Sequence, residues 1–175
     1  MPTDLHLIRL SSHQGDSHAR VLAHLRQLSD DDLALRFGLA RVKDETLVSY
    51  VRGLNFDRDV VLALQDPLSN IVALAHAARY EVRQATGSEA RAEVSFSVVP
   101  QHRGCGLAGR LMQAIIDAAA EAGVERLFAQ CVGANRPMRA VFARSGWAME
   151  LDGGEVLAAR PVRPRHANGS AADLN

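Results

Sequence analysis

One run of residues in this chain has the composition for binding chemistry: Val98-Val99-Pro100-Gln101-His102-Arg103-Gly104-Cys105-Gly106-Leu107-Ala108-Gly109, between an apolar stretch and a helical pattern. Glycines let successive backbone N–H groups turn toward one point, and the start of a helix adds positive potential there. Such a turn suits a pyrophosphate. The same glycines would also serve close packing of helix on strand. No Gly-Lys-Ser/Thr follows, so this is not a Walker loop. The flanking strands are not expected to form a parallel strand-helix-strand unit with an acid about 20 residues on, so a dinucleotide fingerprint is not the reading here. A few residues upstream, Ala92, Val94, Phe96 and Val98 alternate with Arg91, Glu93, Ser95 and Ser97. In a strand the second set shares one face. Glu93 then stands on a polar face near the turn, either solvated or poised as a base. Cys105, in the turn with His102 nearby, has the makings of a nucleophile, but no oriented triad is visible. Cys131 reads as a small apolar strand residue. The seven histidines show no pair at metal-binding spacing on one helix face.

The elements that would hold these residues follow from periodicity. Residues 4–10 predict a strand, and 17–28 an amphipathic helix with Val21, Leu22, Leu25 and Leu28 on one face. Ser29 before Asp30, Asp31 and Asp32 marks a capped helix start. Residues 44–54 predict a short helix, and 59–65, 71–82 and 91–99 predict strands, with a polar turn at 85–90. A helix from Leu107 to Ala122 ends at Gly123, and residues 124–132 form a strand. Asn135 caps a helix reaching about Ser145. Residues 147–151 and 156–162 close a hairpin across Asp152-Gly153-Gly154. Residues 163–175, small, polar and Pro-containing, predict a disordered tail. This order is a mixed α/β domain over 1–162, without internal repeats.

Composition sets the outer limits. In 175 residues, 47% are apolar and 23% charged, an ordinary globular balance with enough core to fold alone. The 20 basic and 20 acidic residues cancel, leaving no electrostatic footprint for nucleic acid or an anionic membrane. No apolar run is long enough to span a bilayer, and the residues at the N-terminus, with an early acid and no long apolar stretch, are not expected to act as a secretory signal. Two cysteines make no disulfide scaffold, so a cytoplasmic setting is expected. Of the 20 basic residues 19 are arginine, and Lys43 is the single lysine.

Arg103-x-x-Gly106-x-Ala108 resembles the (Gln/Arg)-x-x-Gly-x-(Gly/Ala) signature of the GNAT acetyltransferase superfamily. Val98-Val99-Pro100 is similar to the V-x-P that leads into that family's turn. Asn135-x-x-Met138 followed by Ser145-Gly146-Trp147 resembles its N-x-x-(A/M)…GF/GW block. The resemblance runs from about residue 5 to 162. It implies an α/β (α+β) GNAT fold: a central mixed, mostly antiparallel twisted sheet flanked by helices, with splayed parallel strands holding acetyl-CoA. Here those strands would be 91–99 and 124–132.

By the same resemblance, backbone N–H groups of Arg103, Gly104, Cys105, Gly106, Leu107, Ala108 and Gly109 would bind the pyrophosphate. The backbone near Val98 and Val99 would pair with the pantetheine arm. Asn135 would hold pantetheine or acceptor, cap its helix, or do both. Bacterial protein-lysine acetyltransferases of the family carry their general base in a context similar to Ala92-Glu93-Val94-Ser95-Phe96, which implies Glu93 as base. Residues 28–37, with Leu28-Ser29 and Arg36-Phe37, are similar to an L-S-x-(E/D)-x…R-F block of the same enzymes. The implied activity is acetyl transfer from acetyl-CoA to a primary amine, foremost a protein lysine, by a monomer or homodimer without a metal. A small-amine acetyltransferase and a non-catalytic acyl-CoA sensor are the alternatives. The sequence departs from the family at Phe142, where many members place a tyrosine as general acid. Asp57 and Asp59, before a central strand, read either as attraction for a cationic acceptor or as solvated turn residues.

Overall fold

The computed structural model describes residues 4–85 and 87–164. Strand β1 (His6–Arg9) leads into three short helices, α1 (Ser17–Leu25), α2 (Asp30–Phe37) and α3 (Asp44–Arg52). Strands β2 (Val60–Gln65), β3 (Ile71–Gln84) and β4 (Gly87–Val98) follow, then a 3-10 turn (Pro100–His102) and α4 (Leu107–Glu121). The chain closes with β5 (Arg126–Val132), α5 (Arg136–Arg144), β6 (Ala148–Asp152) and β7 (Glu155–Pro161). Seven strands form one mixed sheet in the order β1-β2-β3-β4-β5-β7-β6. Only β4 and β5 run parallel, so, against the expectation, the glycine turn does lie in a parallel strand-helix-strand unit, β4-α4-β5; every other neighbouring pair is antiparallel.

Local sequence explains where the elements start and stop. Ser29 accepts from the Asp32 N–H while Asp32 accepts from the Ser29 N–H, a reciprocal box that opens α2. Gly38, at φ +64°, closes it in a conformation glycine adopts without strain. Leu107, Leu111, Met112, Ile115, Ile116, Ala119 and Ala120 form the buried stripe of α4. That stripe packs on β2, β3 and β4. The opposite sheet face is covered by α1 to α3: His24, Arg36 and Tyr50, one from each, bond to Ser97 or His76, which share that face. With both faces covered, β2 and the first half of β3 are buried without alternation.

The expected turn at 85–90 differs from the structure. Strand β4 begins at Gly87, and its ladder with β3 extends to Gln84 opposite Gly87. The polar residues there are cross-strand partners on a hairpin that projects beyond the helices: Ser88 donates to Glu81 (2.9 Å) and Gln84 to Glu89 (3.0 Å). Solvent on both faces removed the apolar alternation that signals a strand. Helix α1 also stops at Leu25, three residues short of the expected end, although Leu28 still packs in the core. Of the expected C-terminal tail, residues 165–175 lie outside the described residues.

Candidate active site

The parallel ladder between β4 and β5 is short. Arg91, Ala92 and Glu93 pair with Arg126, Leu127 and Phe128, and there the pairing ends. β4 continues to Val98 and β5 to Val132, so a gap opens past Glu93. Glu93 stands at its vertex. The Val99 N–H donates to the Val72 carbonyl oxygen (3.0 Å), which sets the phase of the ladder with β3. The backbone groups of Ser97, Ser95 and Glu93 then point to β3, and those of Val98, Phe96 and Val94 point into the gap. For Val99 the structure differs from the expectation. Its N–H is bound to β3 and its carbonyl oxygen accepts from the His102 N–H (3.0 Å), so Phe96 and Val94 take its place as backbone groups facing the cleft.

At the wide end of the gap lies the glycine turn. Gly104 and Gly106 adopt φ of +74° and +75°, which the turn requires and L-side chains resist. The N–H groups of Gly104, Cys105, Gly106, Leu107, Ala108 and Gly109 have no backbone or side-chain acceptor among the described residues. A Cβ at Gly104, Gly106 or Gly109 would meet nothing within 4 Å, so the space before these donors is open. Six unpartnered N–H groups at the positive end of a 15-residue helix are a fitting cradle for a pyrophosphate. Arg103 sits differently from the others. Its N–H turns back to the Pro100 carbonyl oxygen (3.3 Å). Its guanidinium donates to the Val98 carbonyl oxygen (3.3 Å) and pairs with Asp32 at the start of α2. Partial burial pushes the Asp32 carboxyl up, but Ser29 and Arg103 outweigh it and hold the group below the usual carboxylate range.

Across the gap, Asn135 caps α5 by accepting from the Met138 N–H (3.1 Å), while its amide nitrogen has no partner among the described residues. Cys105 is exposed, and its thiol bonds the Arg103 carbonyl oxygen (3.5 Å) rather than His102. Phe142 is buried at 1% exposure and packs against Trp147 with ring centroids 5.3 Å apart.

Glu93 itself is exposed and carries no hydrogen bond or ion pair among the described residues. It opens onto a groove of about 580 Å³, lined by Tyr80, Phe128, Met149, Glu150 and Leu157 among others. Tyr80, Met149 and Leu157 are each more than two-fifths exposed, so the groove is a wide apolar surface rather than a closed chamber. The acids expected to favour a cation do not lie there as a pair. Asp59 is 1% exposed, held by Arg58 (2.8 Å) and His76 (3.2 Å), and Asp57 accepts from Ser12 (2.5 Å).

A second set of polar groups lies on the same sheet face, between α1–α3 and β3–β4. Arg36 donates to the Tyr50 hydroxyl (2.9 Å) and the Ser97 hydroxyl (3.4 Å). Tyr50 in turn donates to His76 Nδ1 (2.8 Å), whose Nε2–H reaches Asp59. Ser97 donates to His24 Nε2 (2.8 Å), whose Nδ1–H reaches the Ile71 carbonyl oxygen (2.9 Å). Burial pushes the His24 imidazole down to about 4, with the Arg36 charge adding to it. Burial likewise lowers His76, against the pull of Asp59. Both rings are therefore neutral at pH 7. Sequence patterns missed this set because its members come from five elements. Their hydrogen bonds join positions 14 to 73 residues apart.

The comparisons with known proteins fit this geometry. The model of the acetyltransferase (GNAT) family matches residues 6–147. The chain belongs to the GNAT family. It is an acetyl-CoA-dependent N-acetyltransferase, with acetyl-CoA as co-substrate. The GNAT domain of S. lividans PAT superposes with a TM-score of 0.72 at 24% identity, over 90% of each chain. A GNAT phosphinothricin acetyltransferase from Sinorhizobium meliloti, in complex with acetyl-CoA, gives 0.70 at 14% identity, over 93% of this chain and 94% of the other. Spermidine N-acetyltransferase from Vibrio cholerae, with CoA and spermine, gives 0.63 at 15% identity, over 90% and 95%. At these identities the superpositions establish the GNAT fold. No helix among the described residues is long and apolar enough to cross a membrane.

Proposed function

We propose that this GNAT protein acetylates lysine side chains on other proteins, with Glu93 as general base in a direct attack. One observation carries the reading: an unpaired carboxylate at the vertex of the β4–β5 gap opens onto a wide apolar groove. The groove suits the methylene arm of a lysine and the protein surface around it. A polyamine would be better served by a closed pocket with several acids, whereas among the described residues Glu93 and Glu150 are the acids lining this one.

A lysine ammonium, with an ordinary pKa of about 10.4, must lose a proton before it can attack. Glu93 takes that proton, directly or through water. Acetyl-CoA supplies the thioester carbonyl that the neutral amine attacks. The pyrophosphate rests on the N–H groups of Gly104 to Gly109. The cleft-facing backbone of Val98, Phe96 and Val94 aligns the pantetheine arm, once Arg103 releases the Val98 carbonyl. The amide of Asn135 supports that arm from the other wall. Backbone N–H groups on β4 that lack a partner strand are placed to meet developing negative charge on the carbonyl oxygen. Phe142 has no proton to give, so the departing thiolate takes one from water.

The test uses labelled acetyl-CoA and a cell lysate. Label in discrete proteins, present with the wild type and absent with Glu93→Gln, is the expected result. The enzyme itself should take up little, because Lys43 is its one lysine. Label confined to small amines, with no protein above the Glu93→Gln background, would overturn the acceptor assignment.

A further inference from the structure

Among the described residues, Arg36 is a cation without an anion. Its side chain is half-buried over the face of β4 that carries Glu93, Ser95 and Ser97, on a helix that packs across both β4 and β5. Both of its hydrogen bonds go to neutral hydroxyls, Tyr50 and Ser97. A guanidinium has five N–H donors. Two are used, so three have no partner among the described residues, and the Nε–H is fully shielded from solvent. The surrounding acids are committed elsewhere: Asp32 to Ser29 and Arg103, Asp59 to Arg58 and His76. The centroids of the Tyr50 and Phe37 rings lie 5.5 and 5.9 Å from the guanidinium carbon, within cation–π range. An uncompensated charge of this kind also accounts for part of the lowering at His24 and His76, after burial.

We infer that Arg36 is a carboxylate-binding subsite beside the point of acyl transfer. The shielded Nε–H is out of a ligand's reach, but the free N–H on each terminal nitrogen can meet a carboxylate in two parallel hydrogen bonds, and a partly desolvated setting strengthens them. The position fits. Ser97 is four residues from Glu93 along β4, and Tyr50 reaches the strand beside it at His76, opposite Ser95, which is two residues from Glu93. At the strand rise this places the guanidinium roughly 7–13 Å along β4 from the base. That gap is of the length of a lysine arm ending in its own carboxylate, and a short dicarboxylic acyl group on CoA would approach from the cleft side. Both sources present the same chemistry. The inference rests on the amine acylation proposed above and adds what stands next to the amine or the acyl carbon.

The experiment separates the two sources with matched pairs. For the acceptor, Nα-acetyl-lysine is compared with its C-terminal amide, using acetyl-CoA. For the donor, succinyl-CoA is compared with butyryl-CoA, using the amide as acceptor and, without turnover, by calorimetric affinity. In wild type the carboxylate member of one pair should lead in kcat/KM or affinity by about tenfold to a hundredfold. In Arg36→Gln that ratio should fall to near one, and Arg36→Lys should restore part of it. Whichever pair shows the ratio names the source. A wild type that prefers neither carboxylate member overturns the subsite without any variant, as does a ratio that survives in Arg36→Gln. Turnover of the neutral amide by wild type, whatever the ratio, keeps the acyl-transfer reading separate from this one.

Discussion

His24 links the interior of this protein to pH in a way that can be worked out from the structure. The ring is fully buried and bonded at both nitrogens, to Ile71 and Ser97. Burial lowers its pKa to about 4 against an ordinary value of 6.5; the Ile71 carbonyl opposes this, and the Arg36 charge adds to it. Between pH 6.5 and pH 4 the unfolded chain therefore binds a proton at His24 that the folded protein refuses. The unfolded state holding more protons means that stability rises with pH across that window and is lost as pH falls through it. At 1.36 kcal/mol per pH unit the loss is about 3 kcal/mol, a large share of a typical folding free energy. His76, also lowered chiefly by burial, adds to the loss with the same sign. The paired carboxylates of half-buried Asp32 and buried Asp59 are held below the ordinary carboxylate range, so their contribution falls away below about pH 4. The assay is urea unfolding at several pH values from 4 to 7, for wild type and His24→Gln. The substitution lowers stability throughout but removes one titration, so its pH dependence should be flatter by about 3 kcal/mol over the window. Equal slopes for the two proteins would refute the assignment of a neutral, buried His24.

Two further outcomes follow from the cleft. Gly106→Glu puts a carboxylate beside six N–H donors arranged for an anion, in space that is open but at φ +75°. Calorimetric titration should show acetyl-CoA affinity falling at least tenfold in the folded variant; unchanged affinity would reject the turn as the pyrophosphate site. Phe142→Tyr should not create a general acid, because the ring is sealed against Trp147. Thermal unfolding should show a loss of about 1–3 kcal/mol from a buried hydroxyl without a partner, with no gain in kcat.

The cleft was legible in the sequence because its signals are local. The turn needs glycine at fixed offsets, the helix behind it declares itself by periodicity, and a strand's alternation puts Glu93 on the polar face. Val99 failed as a cleft-facing group because the phase of a β-ladder depends on which neighbour takes each N–H, and the neighbour here is β3. Asp59 looked like a surface acid by its place in a turn, yet Arg58, the Arg79 N–H and His76 draw it inside. Of the Arg36 set, the sequence pointed to Arg36, through the Arg36-Phe37 resemblance, and to Asp59, but not to their assembly. Its residues are ordinary members of separate amphipathic helices and strands, and only the packing of α1, α2 and α3 on one sheet face brings them together.

The proposed role of Glu93, deprotonating the acceptor at the vertex of the gap, has a direct kinetic signature. It is tested most directly by kcat for Glu93→Gln and wild type, on a lysine amide with saturating acetyl-CoA, from pH 6.5 to 10. Glu93→Gln keeps the shape and removes the base, so kcat should fall by about 10²–10⁴-fold near neutral pH. Part of that loss should return toward pH 10, where the amine loses its proton unaided. A Glu93→Gln protein that turns over like wild type near pH 7 would contradict the account.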